Sequence, residues 1–532
     1  MLDTKPSFER IAINRVTFGA RDTDVVNATT KGWNAWVDDQ LNPPQGDDPA
    51  LAAFIARQTM RISYPAPMAS EMTMGMQPTW KAVDEDRPLN YLKASVAELW
   101  SIPANTGRSV AHGELTRIQQ EMIAGLWIRN THSRYQVREF LADFWMNHFN
   151  VGNQKSPYAS AMLTAYDRDV IRPHVLGNFR TLLEAVAASP SMLMYLDNAD
   201  SQANLPNENY ARELMELHTM GRSAYLGKDA SAAAKAGAVN GVNVGFTDDD
   251  VLQVSRALSG WTLKRGQVTA DMAFHFPYSG EFVYNAPQHN PNAGRFLGVD
   301  LSGLNGDMAQ GRKVLDIVAA HPATVAFICT KLCRRIFGDT PPQAAIDRAK
   351  TAWTTYIDKP DQLKRVMEAI LLDGPEIGTG PQVKIRRPYE RVIAMLRSID
   401  AVVNADPYYG LALDSVNDTA CTWPAPDGRP DTNAFWLNTY TQVTTWNFLG
   451  AILSQWSIGV SLMDQTPPSA MKSATLLVEY WVGRMLGYQL PADAMAALAD
   501  YVANHSSALS NESALRSAVV AMIAGSPQFA LR

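Results

Sequence analysis

Cysteine and long apolar runs are both scarce in this chain of 532 residues. Its three cysteines, Cys329, Cys333 and Cys421, are too few for a disulfide framework, which excludes the small disulfide-stabilised class of protein. No stretch reaches the roughly 18 consecutive apolar residues of a membrane-spanning helix. The first residues also lack the charged and then apolar segments of a signal peptide. We therefore predict a folded protein with no membrane span and no signal peptide in this sequence.

Excess positive charge and common catalytic signatures are absent as well. The formal net charge is −6, and a nucleic-acid-binding protein would need a basic surface for phosphate contacts. We therefore predict no nucleic-acid partner, and we interpret the basic clusters at 331–335 and 384–387 as ordinary helix surface. No HExxH motif, P-loop, GxGxxG after a strand or GxSxG elbow occurs, so the sequence assigns neither a cofactor nor a metal.

The pattern that is present is helical. Apolar residues recur at intervals of three and four residues, as in 113–130 and 513–525. We predict an all-α or predominantly α fold, a large multi-helix globular domain with long loops. Three irregular regions interrupt it: 60–92, predicted as a long surface loop, 223–245, predicted as a mobile lid or loop, and 405–436, predicted as a structured loop.

The same pattern suggests how the chain is divided. No repeat of fixed period occurs, so a solenoid is disfavoured. We predict a main helical domain over residues 1–380, which carries a polar site, and a C-terminal helical lobe over residues 381–532 that packs on it.

Residues 207–221, NENYARELMELHTMG, concentrate charge on one predicted helix. On a helical wheel its apolar residues and His218 occupy one side, and the polar residues occupy a continuous arc without lysine. The members of this arc are Glu208, Asn209, Arg212, Glu213 and Glu216. Ion pairs at i,i+4 would suit a solvated face. Two carboxylates at i,i+3 would, if buried, raise the pKa of one of them and suit acid–base chemistry.

Residues 137–152, VREFLADFWMNHFNVG, place a histidine inside an apolar face. His148 projects between Phe144 and Leu141, Phe144 and Trp145 would form the walls of a pocket, and Asn147 and Asn150 lie on the opposite side. Two interpretations stay open. His148 is either a core histidine bonded to a backbone carbonyl, or a base or metal ligand oriented by a glutamate from 207–221.

Two single residues add to these candidates. Trp261 closes a helix and is either a core residue, which we favour, or a platform for sugar stacking. His289 lies in a loop punctuated by glycine and proline, where a polar site would fit.

Together these stretches resemble a large bacterial family, the domain of unknown function numbered 1800. Its landmarks here are FWMNHFNV, SPSMLMYLDN, NENYARELMELHTMG, FTDDDVLQVSRALSGW and HPATVAFICTKLCRRIFGD. The family pattern falls on Trp145, Asn147, His148, Glu208, Asn209, Arg212, Glu213, Glu216, Asp250, Arg256 and Trp261. The chain departs from it at Asn290 and Gly294, where the family usually has an aspartate and a lysine.

This resemblance implies a mostly helical extracytoplasmic protein, periplasmic or secreted, with a functional link to a sulfatase-like protein. With the clustered carboxylates, it leads us to predict a hydrolase or lyase that acts on an oligo- or polysaccharide. The predicted catalytic residues are His148, Glu208, Glu213 and Glu216. The predicted substrate-binding residues are Trp145, Asn147, Asn150, Asn209, Arg212, Trp261 and His289. The alternatives are a metal-dependent oxidoreductase in a helical scaffold and a non-catalytic binding or scaffold protein.

Overall fold

The computed structural model describes residues 5–67, 78–228, 241–267, 275–304, 306–409, 418–455 and 458–532. It is 59% helical, and the predicted predominantly α fold class is confirmed. The helices of eight or more residues in the first 310 residues begin and end at Phe8–Val16, Asp22–Lys31, Trp33–Leu41, Pro49–Ala56, Val96–Asn105, His112–His132, Gln136–His148, Pro157–Ala165, Phe179–Ala187, Asp248–Ala257 and Ala309–Ala320. Those that follow are Pro322–Phe337, Gln343–Thr355, Gln362–Leu371, Pro388–Ser398, Thr439–Gln455, Ala474–Leu486 and Ala492–His505.

Shorter elements complete the fold. Within the described ranges, three π-helical segments occur at Tyr166–Ile171, Leu214–His218 and Arg516–Val520. The short α-helices are Pro190–Tyr195, Glu208–Glu213, Asn433–Trp436, Leu462–Gln465, Glu512–Leu515, Ala521–Gly525 and Pro527–Ala530. The strands pair as three separate antiparallel sheets of two strands each: Thr59–Tyr64 with Val83–Pro88, Trp261–Arg265 with Tyr278–Tyr284, and Arg295–Phe296 with Val299–Asp300.

The first strand pair corrects the prediction that 60–92 is a long surface loop. Thr59–Tyr64 alternates exposed and buried residues, with Met60 inward, as a half-buried strand does. The buried Arg117 guanidinium donates to the carbonyl of Met60 at 2.9 Å and to that of Arg87, in the second strand, at 2.8 Å. The alternating pattern of Thr59–Tyr64 covers only six residues. Arg117, which bonds both strands, is distant in the sequence, so the local pattern alone does not identify the strand pair.

The other two irregular regions are described in part. Around the predicted lid, the amide of Leu226 donates to the carbonyl of Phe246 at 2.8 Å, which joins the two ends of the segment. Its central residues, 229–240, lie outside the described residues, so the predicted lid stays a prediction. In 405–436, residues 410–417 also lie outside them.

Two large apolar cores occur in the described part of the chain, beside a small cluster of Ile385, Trp436 and Ala530. The first is built mainly by residues between 12 and 377. The second joins the helices after residue 388 to a few side chains from the first half, among them Leu51, Ile55 and Trp127. The boundary predicted near residue 380 therefore stays a prediction, because early residues contribute to both cores.

A buried cluster of charges, which we call the Asp143 cluster, joins the two halves. Asp143 accepts hydrogen bonds from Arg335 at 3.0 Å, from Arg429 at 2.9 Å and from Arg387. Glu390 and Asp418 provide the other carboxylates, and Asp418 accepts from Arg429 at 2.9 Å. Burial alone would raise the pKa of Asp143, but Arg387, Arg429 and Arg335 lower it to about 2.

The interpretation of 331–335 and 384–387 as helix surface is wrong for four of their basic residues, which are buried. Arg335, Lys384, Arg386 and Arg387 are all less than a tenth exposed. They are tolerated in the interior because carboxylates or backbone carbonyls accept from them; Arg386, for example, donates to the carbonyl of Leu531 at 2.7 Å.

No single helix in the described part of the chain has the length and apolar content to cross a membrane. The helices Ala309–Ala320 and Pro322–Phe337 reach that length and content only as a pair bent by 59°.

We expect Asp143→Ala to lower the free energy of unfolding by about 3–5 kcal/mol, because three buried arginines lose a shared carboxylate. Urea denaturation followed by circular dichroism measures this. The matched control is Asp39→Ala, which removes an exposed pair with Arg134 and should cost less than about 1 kcal/mol. Equal losses in the two variants would show that the cluster does not join the two halves.

Candidate functional site

Three helical elements converge on one group of polar side chains. They are Gln136–His148, the pair Glu208–Glu213 and Leu214–His218, and Pro322–Phe337. The first two meet at the buried ring of His148, and the third brings Lys331 to the same ring. We call the polar side chains around this meeting point the candidate site.

His148 is bound on both ring nitrogens. Its Nε2 lies 3.1 Å from the carbonyl oxygen of His218, and its Nδ1 lies 2.9 Å from Nζ of Lys331. A carbonyl only accepts, so Nε2 carries the proton and Nδ1 accepts a hydrogen bond from Lys331. Burial, Lys331 and His218 hold the pKa of His148 well below its usual value. The imidazole is therefore neutral and orients the lysine.

This arrangement corrects the predicted partner of His148. We expected a glutamate from 207–221 to orient the ring, but a backbone carbonyl and Lys331 do so. The interpretation as a core histidine bonded to a carbonyl describes its Nε2 correctly. The Nδ1 contact goes beyond that interpretation, because it connects the core to a titratable amine.

Lys331 belongs to the helix Pro322–Phe337, which begins after His321 and ends before Gly338. Its Nζ also lies 5.3 Å from the centre of the Phe327 ring. Burial lowers the pKa of Lys331 to about 8, although nearby Asp431 and Asp427 act in the opposite direction. A lysine with that pKa is partly unprotonated near neutral pH and can act as a base or nucleophile.

Glu213 is the acid counterpart. Its side chain is half-buried, and its Oε2 is buried without a hydrogen-bond partner among the described residues. Burial raises the pKa of Glu213, and the negative charges of Glu216 and Asp427 raise it further. The group can therefore hold a proton at higher pH than an ordinary glutamate, as a general acid requires.

The helical wheel fails after Glu213. The α-helix Glu208–Glu213, capped by the side chain of Asn207, passes into the π-helical segment Leu214–His218. Thr219 closes this segment by donating to the carbonyl of Leu214 at 2.6 Å. The wider turn directs the carbonyl of His218 toward His148. π-Helical segments of this kind recur at functional sites.

His218 itself is fully buried, as the wheel predicted. Both of its ring nitrogens, and the hydroxyl of Tyr210, lack hydrogen-bond partners within the described ranges. Burial and Lys331 lower the pKa of His218 to about 3, so the ring is neutral. An unpaired buried polar group costs stability.

The loop 421–430 closes the candidate site from the C-terminal half. Asn150 donates to the carbonyls of Trp423 at 3.0 Å and Ala425 at 2.8 Å, and Asn147 exchanges hydrogen bonds with Arg429 at 3.0 and 2.8 Å. Asn147 and Asn150, predicted to bind substrate, thus use their side-chain amides to hold this loop.

Gly428 allows the loop 421–430 to lie close to the end of the helix Gln136–His148. Its φ of +74° lies in the left-handed region, and a Cβ there would lie 2.2 Å from the carbonyl oxygen of Asn147. The preceding residue, Asp427, is exposed and interacts electrostatically with Glu213, Lys331 and Tyr195. The negative charge of Asp427 therefore acts on both the acid and the base.

The remaining charged residues of 207–221 form the rim. Arg212 contacts Glu216 at 3.5 Å and Asp248 at 3.2 Å. Glu208 and Asn209 are exposed beside it. The structure brings Arg212, Glu213 and Glu216 together and leaves Glu208 and Asn209 open to solvent.

Three other predicted residues lie elsewhere. Trp145 and Trp261 are buried in the first core and are not accessible to a sugar ring. His289 is half-buried beside Ser259 and Gln310, with its ring nitrogens 3.0 Å from the carbonyl of Ser259 and 3.1 Å from Oε1 of Gln310. The prediction of a stacking platform at Trp261 is wrong, because the favoured core interpretation holds.

Sequence reasoning missed Lys331 and Asp427. Lys331 was assigned to a basic helix surface, although it precedes the buried Leu332 and Cys333. Asp427-Gly428 is a strong turn signal that could have drawn attention to the loop. No group of three or more His, Cys, Asp or Glu residues suited to hold a metal occurs in the described ranges.

We expect Glu213→Gln to leave the melting temperature unchanged or to raise it at pH 7. The raised pKa means that the ionised carboxylate destabilises the folded state above its pKa, and an amide removes this charge. The gain should vanish below the ordinary glutamate pKa of 4.5, where the carboxyl is protonated in both states. Differential scanning calorimetry measures this, with exposed Glu208→Gln as the matched control. A fall of several degrees for Glu213→Gln alone would assign Glu213 a structural role.

Comparison with known proteins gives one match. The family described as "Protein of unknown function (DUF1800)" matches residues 11–531, which is nearly the whole chain. No curated protein and no solved structure matches. Because the match extends across both cores and the candidate site, the chain belongs to the DUF1800 family.

Proposed function

We propose that this protein is an extracytoplasmic enzyme that degrades a glycan by proton transfer. Between the hydrolase and the lyase, the candidate site favours a lyase acting on a uronate-containing polysaccharide. One observation carries this choice. The pKa of Lys331 is lowered and that of Glu213 is raised, and both groups interact electrostatically with the same residue, Asp427. Opposite shifts in a shared site are typical of an acid–base pair.

The chemistry assigns one role to each group. The free amine of Lys331 takes the proton from the ring carbon next to the uronate carboxylate. The electron pair forms a carbon–carbon double bond as the bond to the leaving sugar oxygen breaks, and Glu213 gives its proton to that oxygen. The exposed Arg222, whose Nε lies 3.7 Å from Glu216, is a cation available to the substrate carboxylate.

His148 acts as a positioning residue in this scheme. Its neutral ring accepts from Nζ of Lys331 and fixes the direction of the amine. The exposed Glu208 and Asn209 lie on the same helix as Glu213 and would contact sugar hydroxyls.

A glycoside hydrolase is the second candidate. It would pair Glu213 as acid with Asp427 as the second carboxylate, and the electrostatic interaction between these two groups favours it. Lys331 would then bind the substrate rather than take a proton. A link to a sulfatase-like protein stays a prediction from the family resemblance.

Product analysis separates the candidates. We expect a panel of uronate-containing polysaccharides to yield new reducing ends together with ultraviolet absorbance from the new double bond. Reducing ends without the absorbance would favour the hydrolase. Neither signal from any member of the panel would contradict both and favour the non-catalytic alternative.

We expect Lys331→Arg to lower kcat/KM by at least about a hundredfold, because arginine keeps the charge but cannot act as a base near neutral pH. Glu213→Gln should cause a similar loss. Glu85→Gln, at an exposed carboxylate in the strand Val83–Pro88 and outside the candidate site, serves as the control. An active Lys331→Arg variant would overturn the assignment of the base.

The pH dependence gives an independent check. In the productive form the pair has one proton, which Glu213 carries, while Lys331 is a free amine. The value of kcat/KM should therefore follow a bell-shaped pH profile. Above about pH 8 the pair has lost this last proton, so Glu213 has none to donate and activity should fall. Rates that keep rising well above pH 8 would contradict the assignment.

A further inference from the structure

A cleft separate from the candidate site lies beside the first turn of the helix Gln136–His148. Its volume is about 740 Å³, within the range of small-molecule sites. The loop 42–47, the π-helical segment Tyr166–Ile171, the residues 172–177 and Lys364 form its walls. Arg138, at this end of the helix, is ten residues from His148, so the cleft lies roughly 15 Å from the candidate site along the helix.

Cations dominate this cleft in a chain whose net charge is −6. Its cationic lining residues are Arg129, Arg138, Arg168, Arg172 and Lys364. Its lining carboxylates are Asp47 and Asp169. Two further carboxylates, Asp167 and Glu139, accept from Arg172 at 2.8 and 2.7 Å without lining the cleft. Among the residues that line the cleft, the cations outnumber the carboxylates five to two.

Lys364 is a lining cation with donors to spare. Its Nζ donates to the neutral side chain of Asn42 at 2.7 Å and lies 3.8 Å from Glu368. An ammonium group has three donors, so an anion in the cleft would give this Nζ a charged acceptor.

Apolar side chains complete the walls. Leu41, Val175 and Leu176 line the cleft together with Pro43 and Pro173. A bare inorganic ion would leave these surfaces uncovered, whereas an organic anion would cover them with its carbon skeleton.

We propose that this cleft binds an organic anion of about the size of a sugar acid or sugar ester. A phosphate, sulfate or carboxylate group contacts Arg172 and Lys364, and the carbon skeleton packs on the apolar walls. This site is separate from Glu213 and Lys331, so it does not rest on the proposed function.

Isothermal titration calorimetry at constant ionic strength tests the proposal with four probes of one skeleton. These are glucose 6-phosphate, glucose 6-sulfate, glucuronate and neutral glucose. We expect saturable binding of at least one anionic sugar and none of glucose. The anion that binds most tightly identifies the group recognised. Absence of saturable binding by all three anions, or equal binding of glucose, would overturn the proposal.

Variants locate the binding. Lys364→Gln should weaken the tightest anion about fivefold or more, whereas Lys359→Gln, at an exposed lysine outside the cleft, should not change its affinity. Asp169→Asn removes a lining carboxylate and should strengthen binding, a change that a destabilised fold would not produce. Equal weakening by the two lysine variants, or weaker binding by Asp169→Asn, would show that the anion binds elsewhere.

Discussion

The buried carboxylate of Asp143 is the interaction on which the candidate site depends. Asp143 itself and two of its three arginine partners each lie close in sequence to a component of that site. Asp143 is five residues before His148, Arg335 is four residues after Lys331, and Arg429 is two residues after Asp427. The Asp143 cluster therefore holds the three segments together. Burial alone would raise the pKa of Asp143, and the arginines lower it, so the carboxylate stays ionised.

This dependence explains how a lysine can keep a lowered pKa inside a charged interior. The carboxylates of the Asp143 cluster are engaged by arginines, so they do not neutralise Lys331 directly. Its contact at Nδ1 of His148 is with a neutral ring, which adds no compensating negative charge. Burial consequently dominates, and the amine is held near the pH at which it can accept a proton.

The helical periodicity was sufficient to predict the fold class, and the carboxylates of 207–221 were found from their spacing. The partners of those carboxylates could not be predicted in this way. Lys331 and Asp427 reach the candidate site from helices and loops more than a hundred residues away, and no local pattern encodes that distance. Buried basic residues were misplaced for the same reason, because their acceptors lie far along the chain. Tyr166–Ile171 and Leu214–His218 also depart from the α-helical period on which a wheel depends.

The π-helical segment Leu214–His218 has a consequence for how chain length can vary here. A π-turn accommodates about one residue more than an α-turn, so the same residues wound as a regular α-helix would run about one residue past the end of the turn. The residues after the segment would then be rotated by about 100° relative to Glu213. The carbonyl of His218 would turn away from Nε2 of His148, and the lysine amine would lose its orienting partner. Relatives that share this site should therefore keep the π-helical turn, or have one residue fewer between Glu213 and Gly221 where that segment is a regular α-helix.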